Sequence, residues 1–264
     1  MKFKLQNPFV FLFAIVALVS LACSVDLYGT ATPAPQAPAQ SNQTTPIVES
    51  AVETTQTLLP EQTFTGAQQF YTEEFDGNID YWKYLVVNGA KSQIIDGIVG
   101  LMSVRPIGGL LIFDLQGQGA WVYATYEPFT YSKVRLEVKV KNRGSNNNNV
   151  SLICRKSDAG WYEFNIANSG LYEILYAQIQ PDNTISYTLI ADGGSTRIKS
   201  GMADNEYGIV CTDSTLILYI NGTEVRNLEE TKYLLPEGKV SISVSSFRDV
   251  PVIVDFYWVK ISQP

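Results

Sequence analysis

Ser132-Lys133-Val134-Arg135-Leu136-Glu137-Val138-Lys139-Val140-Lys141 is the stretch that decides the fold. Val134, Leu136, Val138 and Val140 alternate with Lys133, Arg135, Glu137, Lys139 and Lys141. That period of two puts one set of side chains on a buried face and the other in water. A sheet with one solvated face follows.

Outward from this strand the same kind of pattern recurs. Short alternating or wholly apolar runs read as strands at 98–104, 109–115, 121–126, 150–156, 162–167, 171–179, 186–191, 207–212, 215–220, 239–245 and 252–261, divided by Gly, Asn and Asp. No segment carries helical periodicity. About a dozen strands without intervening helices select an all-β antiparallel sandwich or barrel over a parallel α/β sheet. Asn221-Gly222, between 216–220 and 223–225, is a hairpin signal, because both central positions of a type I′ turn need positive φ.

Composition narrows the function classes. The 264 residues are 45% hydrophobic and 12% aromatic, which supplies a real core, while the absence of histidine removes Ser-His-Asp and Cys-His catalysis. Any enzyme here has to run on carboxylates. A net charge of −7 argues against nucleic acid as a partner, since binding the phosphate backbone needs a basic footprint.

The amino-terminal end reads as an export signal over 1–22. Lys2 and Lys4 precede an apolar run from Phe9 to Val19, followed by Ser20-Leu21-Ala22-Cys23. The run is shorter than the roughly 20 residues that a spanning helix needs. Leu21-Ala22-Cys23 resembles the lipobox of bacterial lipoproteins, which implies lipidation of Cys23 and a membrane anchor at the cell surface. Ser20 and Ala22 equally suit ordinary small-x-small cleavage, and either cut leaves Cys23 first. From 23 to 67 the chain is a low-complexity tether with Pro33, Pro35, Pro38, Pro46 and Pro60, rich in Thr, Gln and Ala. The folded domain is expected over 68–264.

Within that domain an ordered series of residues carries a family resemblance. Glu74-Phe75-Asp76 comes first, then Trp82, Gly109-Leu110 and the alternating 131–140 strand. Leu152-Ile153-Cys154-Arg155, Trp161-Tyr162-Glu163-Phe164-Asn165-Ile166, Gly170-Leu171-Tyr172, the 216–222 strand with its Asn-Gly, and Val254-Asp255-Phe256 complete it. The series resembles the concanavalin A-like lectin/glucanase jelly rolls, especially the laminin-G-like and keto-glucoside-hydrolase-like domains of bacterial secreted proteins. The fold implied is an antiparallel β-sandwich of jelly-roll type.

Candidate sites follow from these readings. With Cys23 set aside for lipid, Cys154 and Cys211 are expected to form a disulfide in an exported domain. Glycanases of the resembling fold carry Glu-x-Asp-x-x-Glu or Glu-x-Asp-x-Glu along one strand, and no such run occurs here. Glu137, flanked by Arg135 and Lys139, is expected to have a depressed pKa, which unfits it as an acid. If Cys154 points inward, Arg155 points out, and Trp161, Glu163 and Asn165 share the outer face of the next strand, with Arg155 opposite Glu163. These four are the candidate glycan-binding residues, on the ground that sugars stack on aromatic faces and bond to planar polar groups. Trp82, Trp121 and Trp258 are expected as core or edge aromatics. Asp76 and Asp255 are candidate ligands for a structural calcium, which the resemblance implies. The expectation is therefore a surface lipoprotein that binds glycan without catalysis. An adhesion module with a surface-protein partner and a glycoside hydrolase of the keto-glucoside type are the alternatives.

Overall fold

A computed structural model describes residues 66–88, 91–95, 98–99, 102–144, 147–181 and 184–264. The expected signal peptide, Cys23 and the tether as far as residue 65 lie outside them. Among the described residues there is no helix. The strands in chain order are β1 (Tyr71–Glu73), β2 (Trp82–Asn88), β3 (Lys91–Ile95), β4 (Ile98–Val99), β5 (Met102–Pro106) and β6 (Leu111–Leu115). The long central ones follow: β7 (Ala120–Tyr131), β8 (Val134–Asn142), β9 (Asn148–Ser157), β10 (Gly160–Ala167), β11 (Leu171–Ile179) and β12 (Ile185–Gly194). The last are β13 (Asp204–Cys211), β14 (Thr215–Ile220), β15 (Thr223–Glu229), β16 (Gly238–Ser246) and β17 (Val252–Ser262).

They form two antiparallel sheets. One runs β15-β14-β13-β8-β17-β6-β5-β4, with β1 added along the far part of β17. The other runs β12-β11-β10-β9-β16-β7-β2-β3. The predicted sandwich is the observed fold, and its founding strand behaves as its sequence requires: β8 alternates buried and half-buried residues from Val134 to Asn142. On its wet face Arg135 donates to Glu137 at 2.7 Å, and Lys260 and Lys139 make further ion pairs with Glu137 and Glu206. The hydrogen bond from Arg135 holds the Glu137 carboxyl below its ordinary range, as expected.

The core lies between the sheets. Phe113, Leu136, Val138, Ile209, Leu218 and Phe256 of the first sheet meet Val122, Leu152, Phe164, Ile174, Ile242 and Val244 of the second, and all of them are buried. Burying apolar area at roughly 25 cal/mol per Å² is what holds the layers together. Asn221 and Gly222 both take positive φ, at 49° and 76°, so the β14–β15 hairpin turns where the Asn-Gly pair demanded. Three strands were not read from sequence: β1, β2 and β3.

Two further devices tie the layers at one end. Cys154 of β9 and Cys211 of β13 form the expected disulfide across the sandwich, with Cα atoms 6.7 Å apart. Close by, the carboxylate of Glu230 accepts bonds from the Tyr162 hydroxyl and from the backbone N–H groups of Lys232, Tyr233 and Leu234. Burial works to raise the Glu230 pKa, but these donors outweigh it and the net displacement is downward.

Replacing both cysteines by alanine is expected to lower the unfolding free energy by about 4 kcal/mol, because the bond closes a 57-residue separation in the unfolded chain. Denaturant titration of the oxidised wild type and the double variant measures it, and equal midpoints would refute the tie.

Candidate functional site

Pleat alternation on β10 sends Tyr162, Phe164 and Ile166 into the core and Trp161, Glu163 and Asn165 to the opposite face of the second sheet. That much of the expected site is present on one surface. Across this surface the neighbouring strands contribute Tyr123 from β7, Ser243 from β16, Ser151 from β9 and Glu173 from β11, in register with Asn165. Ser241, Ser243 and Ser245 keep the middle of the sheet low, because at these three places β16 carries only hydroxymethyl groups on this side.

The face is not an open platform. A second apolar cluster of Val87, Tyr123, Ile153, Trp161 and Ala177 covers its centre. Trp161 is fully buried, its ring 6.1 Å from that of Tyr123 at 75°, so it presents no exposed face for a sugar to stack on. Under this cover sits Glu163, with 0% of its surface exposed. Its Oε2 accepts the indole N–H of Trp161 at 2.9 Å and the hydroxyl of Tyr123 at 3.0 Å, while Oε1 has no partner. Tyr123 gives its one hydrogen to Glu163, so the Tyr187 hydroxyl, 2.8 Å away, donates to Tyr123. Tyr187 reaches over from β12, where its register partner is the small Ala177.

Desolvation raises the Glu163 pKa above its ordinary value, against the opposing pull of the Trp161 and Tyr123 bonds, the nearby Ser151 hydroxyl and the Lys156 charge. Both donors occupy Oε2, and Oε1 is the oxygen left without one. Lys156 donates to the Thr125 hydroxyl at 2.6 Å and lies over the rings of Tyr123 and Trp161. Desolvation lowers its pKa to about 8.

Beside Glu163 opens a cleft of about 430 Å³ lined by Trp121, Asn149, Asn165, Tyr172, Glu173, Leu175, Tyr187 and Phe247, among others. Asn165 accepts the Ser151 hydroxyl at its floor. A second hollow of about 570 Å³, with Lys156, Lys239, Glu127 and Asp158, lies beyond Trp161 on the same face. Trp121, expected as a core or edge aromatic, is half-buried and walls the first cleft. Glu173, Tyr187 and Phe247 were missed because the cleft draws on strands far apart in sequence, and only the pairing order brings them together.

Arg155 is corrected. It takes positive φ at 55°, where the β9–β10 register slips, and this bulge reverses the alternation. Ile153 therefore stands opposite Glu163, and the expected Arg155–Glu163 pair does not form. The Arg155 guanidinium is buried and donates to the carbonyls of Ser132, Thr212, Asp213 and Leu235. Backbone packs hard against it: a Cβ on Gly238 would lie 2.3 Å from the Arg155 carbonyl carbon. Arg155 is a clamp on loops, not a ligand-binding residue.

The calcium pair is corrected too. Arg143 takes both carboxylate oxygens of Asp255, at 2.6 and 2.8 Å, while Asp76 stands exposed in the turn after β1. Among the described residues no group of three or more Asp, Glu, Cys or His side chains is placed to hold a metal ion.

No family model matches this chain, and no curated protein matches it. Solved structures do. One is a Bacteroides ovatus glycoside hydrolase of family 16 from a mixed-linkage glucan locus, with a product bound, at TM-score 0.53 and 10% identity over 73% of this chain and 99% of that one. A second comes from work on endo-acting O-glycanases of human gut bacteria that initiate mucin breakdown, at TM-score 0.51 and 16% identity over 74% and 99%. A third is a β-1,3-1,4-glucanase (lichenase) from a mouse hindgut metagenome, at 0.50 and 12% over 75% and 100%. This chain has their concanavalin A-like jelly roll. The expectation of a non-catalytic, lectin-like module is corrected by this company, since the neighbours are described as glycan-cleaving enzymes. From Glu163 on β10, Asn165 on the same strand and Asn168 just beyond its end stand at the third and sixth places of the glutamate run sought in the sequence, with amides where the later acids would stand.

Arg155→Met is expected to cost about 3 kcal/mol of stability, because it strands four carbonyls, and thermal melting measures it. Glu163→Gln separates from wild type with pH. The raised folded-state pKa gives wild type a contribution that is full below the unfolded value of about 4.3 and lost as pH rises through the folded one. The melting-temperature difference should shift in favour of the variant between pH 4 and pH 7, and parallel profiles would refute a raised Glu163 pKa.

Proposed function

We propose that the domain is a glycoside hydrolase whose general acid is Glu163. The observation that carries this is a buried carboxyl with a raised pKa and one unpartnered oxygen, next on its strand face to Asn165 and linked through Tyr123 to Tyr187, both of which line a cleft with aromatic and amide walls. A carboxylic acid held protonated by burial can give its proton to a glycosidic oxygen as the bond to the anomeric carbon breaks. Trp161 and Tyr123 fix the carboxyl by holding Oε2, which leaves Oε1 to deliver the proton. Trp121 and Phe247 supply ring surface for sugar C–H faces, and Asn149 and Asn165 supply amides for hydroxyls.

Tyr187 closes over the acid and has to move aside for substrate. It stands on β12, bonded to a neighbour along one edge only, and is 38% exposed. Support for glycan as the substrate class comes from the shared fold and from a first cleft whose lining has no Lys or Arg. The amino-terminal features support delivery to the cell surface with Cys23 as the lipid anchor, so the enzyme would act on polymers outside the cell.

The test is a screen of polymeric glucans and mucin O-glycans for new reducing ends. Wild type is expected to cleave at least one, and Glu163→Gln to turn over about 10²- to 10⁴-fold more slowly with its fold intact by circular dichroism. Activity should fall as pH rises through the raised Glu163 pKa. Undiminished turnover by the variant would remove Glu163 from the mechanism.

A further inference from the structure

Resting on the hydrolase reading, we infer that the first cleft selects uncharged glycans and turns away anionic ones, with Glu173 as the residue that sets the preference. Trp121, Asn149, Asn165, Tyr187 and Phe247 offer rings and neutral polar groups, and among the described residues lining the cleft Glu173 is the only charged one. It is exposed on the wall, so its carboxylate meets whatever enters. On its other side β12 brings a second acid. Asp192 is the register partner of Glu173, and directly opposed residues share a face of the sheet. Asp192 is exposed as well.

Cross-strand pairs of opposite charge stabilise a sheet, and like charges in that arrangement repel. Nothing here offsets the repulsion: among the described residues the ion pairs of Lys and Arg go to Glu127, Glu137, Glu206, Asp213 and Asp255, and none reaches Glu173 or Asp192. A sugar carboxylate or sulfate entering the cleft therefore meets negative charge with no counter-charge in the lining, on a chain whose net charge is −7. A like charge about 6 Å away across a wet surface weakens binding by roughly threefold to tenfold. Uncharged sugars escape that penalty. Their hydroxyl groups donate to the exposed carboxylate, and hydrogen bonds to an ionised acceptor are the stronger kind.

Glu163 does not compete for this role, because it is wholly buried and is not among the residues that line the cleft. The second hollow differs in kind. Lys156 and Lys239 stand there with Glu127, Asp158 and Glu237, so its lining carries both signs.

The experiment takes a neutral glycan that wild type cleaves and compares two derivatives of it at equal, sparse substitution, one sulfated and one hydroxyethylated, so that charge is separated from bulk. Expected is a kcat/KM for the sulfated form about tenfold below that for the hydroxyethylated form at low ionic strength, with the gap closing toward roughly 1 M salt, where screening acts within about 3 Å. Glu173→Gln should narrow the low-salt gap by about threefold, and Asp192→Asn by less, with melting temperatures near wild type. Equal rates on the two derivatives, or a gap that neither salt nor Glu173→Gln changes, would overturn charge selection and leave the hydrolase reading standing. Cleavage of anionic glycans alone would overturn it in the same way. Absence of cleavage of any glycan by wild type would overturn the hydrolase reading, and this inference with it.

Discussion

A strand that commits Tyr162, Phe164 and Ile166 to the inter-sheet core has to hold Trp161, Glu163 and Asn165 on the reverse side. Pleat alternation is the constraint on which the rest of the molecule turns. The core fixes the phase of every strand, and the phase decides which polar groups meet on the far face. Slipping β10 by one residue would bury an acid in the hydrocarbon core and put a phenylalanine in the cleft. The packing of the sandwich and the chemistry of the cleft are therefore one set of choices.

Keeping a carboxyl group at zero exposure is costly, and the surroundings show how the cost is contained. Burial raises the group's pKa, which favours the neutral form and so lessens that cost. Two donors on a single oxygen then fix its orientation without supplying the full complement that would stabilise an anion. Serines on β16 matter for the same reason. Their small size leaves room for the Tyr123 side chain to cross the middle of the sheet and meet Glu163, two strands beyond β16. Larger residues at 241, 243 and 245 would lift that ring away.

Much of the fold was legible because its signals are local. The alternation from Val134 to Val140, the Asn221-Gly222 turn and the pairing of the two cysteines each concern a short stretch or a count of three thiols. The site was legible only by half. Alternation put Trp161, Glu163 and Asn165 on a common face, but whether that face is wet or covered depends on Tyr123 and Tyr187, which are distant in sequence. Arg155 shows the second limit. A bulge adds one residue to the phase, and the sequence around Cys154-Arg155-Lys156 carries no glycine or proline to announce it. One left-handed residue turned the expected ligand-binding arginine into a loop clamp and brought Lys156 to the aromatic rings instead. Asp76 and Asp255 failed for a simpler reason: a carboxylate's partner cannot be read from its own neighbours in the chain, and Arg143 had already claimed Asp255.

The walls of the cleft are unequal in anchorage. Its floor is woven into strands bonded on both sides. Its cover rests on a boundary strand that is tethered along one margin and meets the floor through a phenol-to-phenol contact and the packing of Ile185. Such a gradient of stiffness lets the reactive proton stay dry and steadily aimed while the overlying ring yields to an incoming polymer. Thermal agitation is thereby concentrated where access needs it and damped where alignment does.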